Sequence, residues 1–317
     1  MSRRYAALLL AGFGLLVLAA PAAAHGLAAE EDLPIPAWMF TWGATVVLVV
    51  SFVALAVLWR EPKLEGAGER PWFRVPRVLE VLAGVVGVAL FALVVYAGFA
   101  GVANPQANIT PTLVFIGFWV ATPIASVFLG DVFAAFNPWR AIGRLIGWTA
   151  QRAGREPRHR PYPARLGHWP AAAMILLFAW VELASTDGED PQALATMALL
   201  YAAIQLVGQA VYGERAWTAN ADGFAVYFRL FSKLAPLQWH DGQAWRRRPA
   251  SAITDLRPQP GLAALVVASI GTTSFDGFSQ GEYWRDIRGE LVTSFQDAGF
   301  SGQAPATLAA TIGLIAI

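Results

Sequence analysis

The feature that most restricts this 317-residue chain is a succession of long apolar runs, separated by shorter stretches that hold nearly all of its charge. About 20 consecutive apolar residues cross a bilayer as a helix, because hydrocarbon offers the backbone no hydrogen-bond partner but itself. Such runs occupy 37–59, 78–101, 110–130, 169–184 and 192–212. A sixth covers 261–278, and a seventh, 305–317, ends with the chain. Only 14% of the residues are charged against 56% hydrophobic, whereas a soluble domain carries about a quarter charged. That balance excludes disorder, and the absence of cysteine excludes a disulfide scaffold and thiolate metal sites. The expected fold is all-α, a polytopic transmembrane helix bundle.

At the N-terminus, Arg3 and Arg4 precede an apolar run from Tyr5 to Ala20, and Ala22-Ala23-Ala24 follows. This order describes a cleavable signal peptide, 1–24. It leaves a short extracytoplasmic segment, 25–36, before a membrane domain over 37–317. The last 13 residues, Pro305 to Ile317, make about 20 Å of helix against a hydrocarbon core of about 30 Å. The seventh span is therefore expected to be truncated.

Basic residues set the orientation. All of the 23 Lys and Arg except Arg285 and Arg288 lie at the extreme N-terminus or in three segments, 60–77, 131–168 and 213–260. The alternate segments 25–36, 102–109 and 185–191 hold none, and two of them are acidic through Glu30, Glu31, Asp32, Asp187, Glu189 and Asp190. The mature N-terminus is expected outside a bacterial cytoplasmic membrane. Trp38, Trp42, Trp59, Trp169 and Trp217 fall near span ends, as interfacial aromatics do. Two amphipathic stretches, 132–148 and 223–235, are expected to lie along the inner membrane surface with their arginines near anionic headgroups.

Polar groups within spans point to function, because burying them in hydrocarbon is costly. Glu182 stands about one turn below the acidic outer loop, either reaching up to the interface or lining an internal cavity. Tyr201, Gln205 and Gln209 recur at i, i+4 and i+8 on one face of the fifth span, a stripe that either joins helices or lines a substrate path. In the sixth span, Gly271-Thr272-Thr273-Ser274-Phe275-Asp276-Gly277 follows a short apolar stretch. It reads either as a helix broken at membrane depth, with Asp276 in a site, or as an ordinary helix exit. Glu182 and Asp276 are the candidate catalytic carboxylates. Asp131, Asn137 and Arg140 form an expected inner-interface anchor, in which Asp131 either pairs with Arg140 or Arg144 or anchors a helix end.

Familiar catalytic patterns are missing. The chain has no H-x-H, H-E-x-x-H, P-loop or dinucleotide fingerprint. A divalent metal is conceivable as a cofactor, but no ligand set is visible. After signal cleavage His25 becomes the first residue, where its imidazole and the α-amine form a weak candidate copper chelate. Partners expected from composition are the lipid bilayer and not nucleic acid.

Three stretches carry a family resemblance. His25-Gly26-Leu27 with Asp32-Leu33-Pro34-Ile35-Pro36, Gly130-Asp131-Val132-Phe133 leading to Asn137-Pro138-Trp139-Arg140, and Thr273-Ser274-Phe275-Asp276-Gly277 are the segments concerned. They resemble a family of bacterial multi-pass membrane proteins, many from actinobacteria, labelled fenitrothion hydrolase. The resemblance implies a component of an organophosphorus triester hydrolase acting with a partner membrane subunit, and a longer protein. From the residues alone, a permease or ion-coupled transporter without hydrolytic activity is the alternative, and a copper-handling membrane protein a lesser one.

Overall fold

The computed structural model describes residues 37–58, 64, 68–154, 158–240 and 242–317. The signal peptide, the 25–36 segment and the His25 chelate lie outside the described residues. The chain divides into two compact units, Met1–Ala54 and Leu55–Ile317. The described part of the first is most of one helix, α1 (Ala37–Leu58).

The second unit carries the architecture. Its membrane-length helices are α2 (Arg77–Ala100), α3 (Ile109–Leu129), α7 (Pro191–Tyr212) and α10 (Leu262–Ser279). Among the described residues these four are long and apolar enough to cross a membrane. Shorter helices fill the rest: α4 (Val132–Phe136), α5 (Pro138–Arg152), α6 (Trp169–Leu183), α8 (Glu214–Asn220), α9 (Gly223–Ser232), α11 (Glu282–Asp297) and α12 (Ala304–Ala316). Short polar caps start several of them. Asp131, Asn137, Asp190 and Asp222 each accept a hydrogen bond from the backbone N–H three residues on, satisfying a donor that the first turn leaves unpaired. In α5 and α7 a proline follows the cap at the first helical position, where it forfeits no helical bond.

The middle ten residues of α3, Thr112–Ala121, are wound as a π-helix. At the return to α-geometry, Thr122 Oγ1 donates to the Gly117 carbonyl at 3.2 Å, and Pro123 brings no N–H to the ladder.

Three expectations are corrected. The sixth span is not broken: α10 is one α-helix through Gly271, Thr272 and Thr273. Its hydroxyls bond into their own helix, Ser269 to Leu265 O (2.7 Å), Thr272 to Ser269 O (3.1 Å) and Thr273 to Ser269 O (2.9 Å). A polar run that satisfies itself this way has no need to leave the helix.

The stretch 223–235 does not lie on a surface. Its helix, α9, has seven of ten residues buried and packs against α3, α4, α6 and α8. Phe224, Tyr227 and Phe228 face neighbours on several sides, with Tyr227 stacked on Trp119 at 5.0 Å and Phe224 edge-on to Phe118 at 4.6 Å. By contrast, the 132–148 stretch breaks at Asn137 into α4 and α5, and Leu145, Ile146 and Trp148 of α5 are exposed.

The fold is not purely helical. β1 (Arg70–Arg74), β2 (Leu237–His240) and β3 (Gln243–Arg246) form an antiparallel sheet in the order β1-β3-β2, with Arg70 opposite Arg246 and Leu237 opposite the same residue on the other side. The two expected inner loops thus pair with each other. Trp239 Nε1 donates to Leu129 O at 2.5 Å and fastens β2 to the end of α3.

Candidate functional site

The site is a cavity of about 630 Å³ bounded by α2, α3, α4, α6 and α7. That volume lies within the range of pockets that hold a small molecule. Its walls are almost entirely apolar. Leu113, Val114, Gly117 and Phe118 come from the π-wound part of α3, Leu90, Phe91 and Val94 from α2, and Met174, Leu177, Phe178 and Val181 from α6. Phe133, Phe136, Trp139, Tyr201 and Phe224 complete an aromatic floor. Phe133 stands edge-on to Trp139 at 6.0 Å, Trp139 to Tyr201 at 5.2 Å, and Tyr201 is tilted on Phe224 at 5.1 Å.

Directly behind this floor lies Asp222, fully buried. Its carboxylate accepts four hydrogen bonds. Asn137 Nδ2 and Trp139 Nε1 reach Oδ2 at 3.0 and 2.8 Å, and the Tyr201 hydroxyl and Ala225 N reach Oδ1 at 2.8 and 3.1 Å. Tyr201 also accepts from Phe224 N at 3.3 Å. Among the described residues no cation pairs with Asp222, so these donors alone replace the water that burial removed. One carboxylate thereby gathers α5, α7 and α9, and holds Trp139 and Tyr201 in the cavity wall.

Among the described residues, three side chains with nitrogen or oxygen line the cavity, Thr122, Trp139 and Tyr201. All three are already bonded, to Gly117 O and, for the two aromatics, to Asp222. The walls offer ring faces and aliphatic surface, with no unbonded side-chain donor.

The other candidates fall elsewhere. Glu182 is half-buried on α6, and Asp276 is exposed on α10. Neither lines the cavity. Within the polar stripe, Tyr201 lines it and the other two do not. Gln205 accepts from Trp217 Nε1 at 2.7 Å and donates to Met174 Sδ at 3.3 Å, while Gln209 is buried where α7 meets Gly143 of α5. The two features behind the transporter alternative are therefore an unbroken helix and, for two residues of three, contacts between helices.

Of the two readings of Asp131, the structure has the helix end and not the pairing with Arg140 or Arg144. Asp131 caps α4 and pairs with Arg229 at 3.5 Å. Arg140 pairs with Glu214 at 2.5 Å and donates to Ala134 O. Arg144 approaches the same carboxylate at 3.8 Å. Partial burial, and then the like charge of Arg140, hold the Arg144 guanidinium below its ordinary value, against the pull of Glu214. Helix α4 separates the two pairs: its cap engages one arginine and its third residue's carbonyl the other.

Sequence reasoning missed Asp222 and the cavity. The available signal was Asp222-Gly223-Phe224, a capping residue ahead of an aromatic helix; nothing local showed that its other donors would come from Asn137, Trp139 and Tyr201. No set of three or more His, Cys, Asp or Glu side chains gathers as a metal site among the described residues. No protein-family model, curated protein or solved structure matches the chain. What can be stated without a relative is the class: a predominantly helical protein whose described residues include four helices of membrane-crossing length and composition.

Proposed function

We propose that this is a polytopic protein of the bacterial cytoplasmic membrane, mature N-terminus outside, that binds a small uncharged molecule, aromatic at least in part, in the cavity above Trp139 and Tyr201. One observation carries the reading: every polar side chain in the cavity wall already has its partner. A charged ligand would be stripped of water without compensation there, whereas an apolar one gains the burial of its own surface and contact with ring faces. A neutral aryl organophosphorus triester, the substrate class implied by the family resemblance, belongs to this class of ligand. The wall holds no carboxylate, imidazole or unbonded hydroxyl to activate water, so in this reading the chain binds the triester and a partner membrane subunit supplies the hydrolytic groups.

The test is binding of a nitrophenyl thiophosphate triester to the purified protein in detergent, beside the anionic diester left by its hydrolysis. The expected result is that the triester binds and raises the thermal midpoint, and the diester does neither. Gly117 lines the cavity and has room for a side chain, so Gly117→Leu is expected to abolish binding while the protein remains folded. Equal binding of the diester, or undiminished binding by Gly117→Leu, removes this cavity as the site. Nitrophenolate release by the isolated chain would overturn the assignment of hydrolysis to a partner.

A further inference from the structure

We infer that the cavity is reached sideways, from the hydrocarbon of the bilayer, through a gap between α6 and α7; this rests on the binding reading above. Helices that follow one another through a short turn ordinarily pack along their length. Here α6 and α7 are joined by 184–190, yet between them they hold the cavity open. On α7, Met197, Leu200 and Ile204 recur at i, i+3 and i+7, one helix face, and all three line the cavity. On α6, Met174, Leu177 and Val181 recur at the same spacing and line it from the other side.

These rim side chains face two ways. Leu177 is 57% exposed, Leu200 55%, Ile204 45% and Met197 41%, although each also borders the cavity. A side chain that bounds an internal space and is half open to the exterior marks a mouth. The other flank of α7 is shut: Gly98 of α2 lies so close to Ala195 and the Pro191 carbonyl that a methyl group there would collide with them. The mouth is wholly aliphatic and thioether, and it opens on the flank of two apolar helices, where the surroundings are lipid tails. A molecule dissolved in the bilayer passes it without shedding water; one dissolved in the aqueous phase must first partition into lipid.

Because the chain has no cysteine, single thiols can be placed cleanly. Ile204→Cys puts one in the mouth. Val207→Cys puts one on the same helix at a site that is 64% exposed and does not line the cavity. Both variants, in liposomes, are treated with a bulky lipid-soluble maleimide, and binding of the nitrophenyl thiophosphate triester is followed by stopped-flow quenching of tryptophan fluorescence. The label at 204 is expected to slow association by about tenfold or more, while the label at 207 leaves it unchanged. Association should also scale with the amount of triester per lipid and not with its aqueous concentration. If unlabelled protein binds no triester, the binding reading itself fails, and the route with it. If binding is normal and both labels are silent, or both slow it alike, the binding reading stands and the sideways route is wrong.

Discussion

The indole of Trp139 and the carboxylate of Asp222, 83 positions apart, are joined by a 2.8 Å hydrogen bond inside the helix bundle. The bond turns the Nε1 edge of the indole toward a buried charge, while the ring also lines the cavity. Asp222→Asn keeps the shape but replaces an acceptor with a donor, stranding at least one of the four groups that point at it. An unsatisfied buried donor costs about 1–3 kcal/mol, and the variant is expected to lose roughly that much stability, read as a lower thermal midpoint in detergent. Triester binding should fall in the same variant, because Tyr201 and Trp139 lose their anchor. A variant as stable as the parent would show that the four bonds do not hold this region together.

Two glycines make a controlled pair. At Gly87, on the buried side of α2, an added methyl group would run into the backbone carbonyl of Phe136, whereas Gly147 on α5 has open space around it. Gly87→Ala is expected to destabilise by about 1–3 kcal/mol through overpacking. Gly147→Ala should be neutral or stabilising by up to about 1 kcal/mol through helix propensity. Thermal or denaturant midpoints decide, and a reversed order would contradict the packing of α2 on α4.

Arg247 holds the segment between α9 and the sheet through its planar fork. Its Nε donates to Ala235 O at 3.0 Å and Nη2 to Ser232 O at 2.7 Å, and Nη1 reaches the Gln238 side chain. A lysine keeps the charge but cannot point donors in these directions together. Arg247→Lys is expected to cost about 2 kcal/mol and to open 233–247 to limited proteolysis. Unchanged cleavage would mean that charge alone suffices.

Orientation can be checked with the same absence of native cysteine. Asp187→Cys, in the acidic turn after α6, should react with a membrane-impermeant maleimide in intact cells. Arg165→Cys, in the basic segment before α6, should react only after lysis. The opposite pattern would invert the membrane topology and with it the assignment of inner and outer faces.

The helices themselves were legible because a span needs only its own residues: apolar length and internal backbone bonds are local properties. Asn137-Pro138-Trp139-Arg140 stood out too, as part of an expected interface anchor, although its role in capping α5 did not. Two local inferences failed for one shared reason. The Gly/Thr/Ser run of the sixth span looked like a break until Ser269, Thr272 and Thr273 proved to bond their own helix. The aromatic periodicity of 223–235 looked like a surface helix because a two-faced pattern does not say whether its apolar face meets lipid or protein.

What the amino-acid order determines without help is the set of apolar helices and the segregation of arginine between them, since both follow from the one-dimensional distribution of hydrophobicity and charge. Tertiary structure decides the rest. The Asp222 carboxylate draws its donors from three separate helices, the segments before α2 and after α9 pair into a sheet, and the splay of α6 from α7 opens a cavity. Each depends on contacts between groups tens of residues apart, whose directions no local pattern encodes.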